Sequence, residues 1–163
     1  MFYGIVHRDQ PQQYAQAVCD VLGHGENRLA VRMLLETCAQ ETHMGRFRDT
    51  DFLRHGIGLM QLDRIGFDDV KTRARDEDLQ KLEERFGVVI RSDKPTQKAV
   101  EHEDLAFSPL LSMIFARLFY KLRPDPIPDS IEGRARYWKK YYNTPAGKGT
   151  EAEYLLNAKR FLS

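Results

Sequence analysis

A chain of 163 residues, 42% hydrophobic and 30% charged, has the length for one domain around one core and the composition of an ordinary globular protein. Its formal net charge of +1 excludes a general nucleic-acid binder, which would be strongly basic, although Arg and Lys cluster locally at residues 46–54 and 134–140. No apolar run approaches the ~18 residues of a membrane span, and MFYGIVHRDQPQQ at the start has no basic stretch leading into an apolar one, so neither membrane insertion nor an export signal is expected.

In chain order, PQQYAQAVCDVLGHG predicts a first helix with Tyr14, Val18 and Val21 or Leu22 on one face and a stop at Gly23 and Gly25. ENRLAVRMLLETCAQETHMG is the clearest helix. Its stripe of Leu29, Met33, Leu34 and Cys38 ends at Gly45. Residues 46–63 keep no helical period and predict a loop with at most a small hairpin. DRIGFDDVKTRA and DEDLQKLEERFG predict short helices, and VVIRSDKPTQ a connection with at most a short strand. The most apolar segment follows, with Ser108 and Pro109 as its cap and first turn. RPDPIPD forbids a helix, because proline lacks the N–H that a helix interior uses. SIEGRARYWKKYYN and TEAEYLLNAKRFL predict two more helices, the last with Thr150 as N-cap and Glu153 three residues on. The expected molecule is one mainly α domain spanning residues 1–163, with no internal repeat.

Glu41 stands where the apolar helix runs out. A carboxylate there opposes the helix dipole, and burial against apolar neighbours would keep it protonated, as a general acid requires. The bland alternative is a solvated helix end. Glu36, five residues earlier, lies roughly 140° away around the helix and cannot share a cleft with Glu41. Trp138 is expected in the core, with its indole at a cleft rim as the alternative. Cys19 and Cys38 are expected as buried free thiols, since neither lies in a CxxC pair. His24, His43, His55 and His102 show no ligand spacing, so neither metal nor cofactor is expected.

Three pieces in order, QETHMG, GIGLMQL and YYNTPAGKGT, resemble the lysozyme-like superfamily, and within it the lytic transglycosylases and phage muralytic enzymes. The resemblance covers residues 26–160 and implies a goose-type lysozyme or transglycosylase helical domain. It also implies cleavage of peptidoglycan between N-acetylmuramic acid (MurNAc) and N-acetylglucosamine (GlcNAc). Glu41 would be the acid and then the base. Tyr142 would hydrogen-bond near it and orient it, leaving Tyr141 as the packed tyrosine. Thr42, Gly58, Met60, Gln61 and Asn143 would bind sugar; the alternatives are a bond back to its own helix for Thr42, a turn for Gly58 and Asn143, and the core for Met60. Asp49 and Asp51 are the nearest candidates for a second carboxylate. The Glu–Asp–Thr spacing of many phage endolysins, counted from Glu41, lands on Thr50 and Gly56, which favours a mechanism with one Glu. The resemblance further implies a monomer made in the bacterial cytoplasm, acting on the wall in the periplasm. Delivery through a holin is the first expectation, with a virion-borne lysin or an injected effector as alternatives. A hydrolytic muramidase and a non-catalytic phage structural or glycan-binding protein are the rival functions.

Overall fold

The computed structural model describes residues 1–48 and 56–163. The described chain is mainly helical. Its helices are α1 (Gln10–Leu22), α2 (Leu29–Thr42), α3 (Arg64–Arg73), α4 (Asp76–Phe86), α5 (Pro109–Lys121), α6 (Ile131–Trp138) and α7 (Glu151–Leu162). A 3-10 turn, His102–Ala106, precedes α5. Directly after α6 the helix widens into one π-helical turn, Lys139–Asn143. Among the described residues none of the helices is long and apolar enough to cross a membrane.

The core forms around α2. Ala30, Val31, Met33, Leu34, Leu35, Cys38 and Ala39 are all buried, because α1, α5 and α7 pack on different sides of this helix. Full burial of a side chain such as Met33 or Leu34 stabilises by about 1.5–3 kcal/mol. The second apolar helix, α5, is buried from Ser112 through Tyr120, and Phe67 of α3 stacks on its Phe115 at 4.6 Å. Both cysteines are free and buried.

Local capping chemistry fixes the starts of α3, α5, α6 and α7. Asp63 Oδ1 accepts from Gly66 N at 2.7 Å, Ser108 Oγ from Leu111 N at 3.2 Å, and Ser130 Oγ from Gly133 N at 3.1 Å. Thr150 and Glu153 exchange side-chain and backbone bonds in a reciprocal capping box. The end of α2 differs from expectation. His43, rather than Gly45, is the left-handed cap, and His43, Met44 and Gly45 all have positive φ, at 50°, 59° and 78°. Among the described residues of the expected hairpin segment there is one antiparallel bridge, Ile57 with Leu62, closing a tight turn. The segment 88–100 carries no strand. Arg134 does not belong to a basic face, since it is buried.

Candidate active site

Glu41 occupies the last turn of α2, half-buried. Trp138, the last residue of α6, donates its indole Nε1–H to Glu41 Oε1 at 2.9 Å. Among the described residues this is the carboxyl group's sole hydrogen bond, and its second oxygen has no donor among them. Burial pushes the Glu41 pKa up to about 7, and the indole bond holds it from rising further. An ionised carboxylate is poorly solvated there, so near neutrality Glu41 keeps its proton on a substantial fraction of molecules. A carboxylic acid held on one oxygen and open on the other can donate that proton to a bound leaving group.

Trp138 is fully buried, yet its one polar atom reaches the site. Sequence reasoning offered core or cleft rim, and the structure places the ring in the core with Nε1 on Glu41. The signal was present: it is the chain's single Trp, and a buried indole N–H usually finds an acceptor.

Tyr142 extends from the π-helical turn toward the same region, and its ring stacks on Tyr120 at 5.3 Å and meets Phe119 edge-on at 5.2 Å. Its hydroxyl does not orient Glu41 directly. It donates to the Met60 carbonyl at 2.6 Å. Burial, with the Tyr120 and Glu41 charges adding to it, holds its pKa well above the usual tyrosine value, so the donor proton stays in place. Tyr141 also packs, edge-on against Tyr137 at 4.9 Å, and its hydroxyl bonds the Asp125 carboxylate, so both tyrosines are half-buried against the core.

Several expected sugar contacts are turned inward. Thr42 is fully buried and donates to the Leu59 carbonyl at 2.8 Å, tying the end of α2 to the 56–62 turn. Met60 is fully buried and offers only its backbone carbonyl, to Tyr142. Gly58, at φ +77°, approaches protein rather than open space: a Cβ there would lie 2.2 Å from the Leu105 carbonyl oxygen and 2.4 Å from Ser112 Oγ. Gln61 uses its amide on the Gly58 carbonyl at 2.9 Å and on the Tyr3 hydroxyl at 3.4 Å. Asn143 Oδ1 accepts from Lys139 Nζ at 2.7 Å, and the same ammonium bonds the Gly147 carbonyl, closing the 143–149 turn. The contacts of these residues are with the protein itself. Asp49, Asp51 and His55 lie outside the described residues.

Glu36 faces away from Glu41, as the helical angle requires, and its partners were not foreseen. Arg134 grips both its oxygens, each at 2.8 Å, and the Tyr154 hydroxyl donates to Oε2 at 3.0 Å. His102 is buried with Nε2 2.8 Å from the Leu62 carbonyl, and His43 stacks on Phe161 at 4.7 Å. Among the described residues, no three His, Cys, Asp or Glu side chains converge on a metal-sized site. Comparison of the chain with protein-family models, with curated proteins and with solved structures finds no match.

Proposed function

We propose that this protein is a peptidoglycan-cleaving glycosidase of lysozyme-like fold, acting as a lytic transglycosylase with Glu41 as its acid and base. One observation carries the reading: a half-buried carboxyl group, its pKa pushed up to about 7, held by one indole donor and with no donor on its second oxygen among the described residues. The in-order pieces QETHMG, GIGLMQL and YYNTPAGKGT support the choice of substrate, since they resemble that family.

In the first half of the reaction the Glu41 proton passes to the glycosidic oxygen, the bond from that oxygen to C1 of MurNAc breaks, and GlcNAc leaves with a 4-hydroxyl. In the second half the Glu41 carboxylate takes the proton of the MurNAc 6-hydroxyl as that oxygen bonds to C1. The product is a 1,6-anhydro sugar, and Glu41 is protonated again. Trp138 steadies the carboxylate between the halves, because its N–H remains a donor when Glu41 is charged. Tyr142 and Thr42 hold the 56–62 turn against the end of α2.

Mass spectrometry of purified peptidoglycan digested by the wild-type protein tests this reading. Fragments ending in anhydro-MurNAc are expected. Reducing ends, one water heavier, would replace the transglycosylase by a muramidase. An undigested glycan would remove the enzymatic reading and leave a non-catalytic binding protein.

A further inference from the structure

Glu36, Arg134 and Tyr154 form a buried cluster that the proposed chemistry does not use. Glu36 and Arg134 are 5% and 4% exposed, and Tyr154 is fully buried. Burying an ion pair costs desolvation, and an apolar trio of similar volume would often hold the helices equally well. The geometry ties this cluster to the candidate acid in two ways. Glu36 and Glu41 lie on α2, while their partners Arg134 and Trp138 lie one turn apart on α6, so the two helices are joined by two successive polar rungs. The Tyr154 ring also packs on the Trp138 indole at 5.3 Å and 35°, while its hydroxyl is fixed by Glu36. Arg134 is anchored further by donating to the carbonyls of Pro128 and Asp129 at 3.1 and 2.7 Å. From the far side Gly149 closes on the indole so tightly that a Cβ there would sit 2.6 Å from Trp138 Cη2.

We infer that Glu36, Arg134 and Tyr154 are positioning residues that hold the Trp138 indole in the plane where its N–H meets Glu41, and so aim the acid's open oxygen at the substrate. The chain of contacts runs from the Arg134 fork to Glu36, through the Tyr154 hydroxyl and ring, to the indole and Glu41. None of the three touches the Glu41 carboxylate, so their effect passes through Trp138. The role in catalysis rests on the glycosidase reading. The coupling from the cluster to Trp138 and Glu41 does not.

The chain's single Trp makes the test direct, because one indole N–H resonance in a proton–nitrogen spectrum reports the rung. That resonance is followed from acid to mild base in wild type, Tyr154→Phe and Arg134→Lys, with a melting curve for each and turnover on purified peptidoglycan. Tyr154→Phe keeps the ring and removes only the bond to Glu36. Arg134→Lys keeps the charge and loses the fork. The wild-type resonance should move with a midpoint near 7, as Glu41 loses its proton. In both variants, still melting cooperatively, the midpoint should rise by about half a unit or more, since a weaker indole bond no longer favours the carboxylate. Turnover should fall about three- to tenfold with KM unchanged. Variants that fold with the wild-type midpoint would overturn the inference, whatever their activity. Should Arg134→Lys lose cooperative melting, Tyr154→Phe alone decides. Displaced midpoints in a protein that never cleaves peptidoglycan would leave the positioning role standing and remove the glycosidase reading.

Discussion

At the residue scale the question is what it costs to keep Glu41 where it is. Its ordinary pKa is 4.5 and its folded value is about 7. Below 4.5 both folded and unfolded chains carry the proton and the residue costs nothing. Between the two values the unfolded chain releases its proton while the folded one retains it, so stability falls as pH rises. Above 7 the penalty is constant, at roughly 1–3 kcal/mol. Glu41→Gln removes the penalty while its amide oxygen still accepts the Trp138 bond. The variant should match wild type in melting temperature at about pH 4 and exceed it by a few degrees at about pH 8, while losing lytic activity. Equal melting curves at both pH values would show that Glu41 is solvated. A second prediction concerns the tyrosine. Because Tyr142 bonds the Met60 carbonyl and not the acid, Tyr142→Phe should cost about 1 kcal/mol of stability and spare most of the turnover. A loss of turnover beyond tenfold at unchanged stability would place its hydroxyl in the chemistry itself.

At the scale of elements, the site is the junction of three pieces: the end of α2, the 56–62 turn, and α6 with its π-helical extension. Two helix boundaries had a local signal. The apolar stripe of α2 and its rupture at THMG marked the end where Glu41 sits, and Thr150 with Glu153 announced the start of α7. What faces what had no local signal. That Arg134 would bond Glu36, and Trp138 Glu41, depends on how α6 crosses α2, with partners 98 and 97 residues apart. One clue was available: a Glu inside an apolar stripe needs a buried cation, and GRARYW offers one. The glycines misled for a related reason. Gly58 reads as a sugar contact in the sequence, but the surface it closes on is the Leu105 carbonyl. The turn at Gly149 yields a prediction. Gly149→Ala should drive the indole off Glu41 and lower turnover about ten- to a hundredfold, at a cost of about 1–3 kcal/mol in stability from crowding the buried ring. Steady-state kinetics beside a melting curve checks it, and unchanged kinetics would mean that the turn yields instead.

At the scale of the whole molecule, two buried arginines show how differently a charge can be carried. Arg134 has a bidentate carboxylate, while Arg117 on α5 has a 3.3 Å bond from Nη2 to the Gly23 carbonyl, a weak thiol neighbour in Cys19, and an Nε without a partner among the described residues. Burial accordingly lowers the Arg117 pKa. Arg117→Met should hold or raise the melting temperature, because it removes an under-compensated charge and keeps the volume. A drop of several degrees would reveal that this guanidinium is better satisfied than its contacts indicate. On the proposed reading, the fold serves to bring a carboxyl group to the end of a buried helix and to keep its proton there. The most direct measurement of that is the rate of purified-peptidoglycan cleavage as pH rises from about 5 to 9. A general-acid Glu41 predicts an alkaline limb with its midpoint near 7, and about a tenfold loss for each further pH unit. A rate that stays flat to about pH 9 with the protein folded, or no cleavage at any pH, would contradict it.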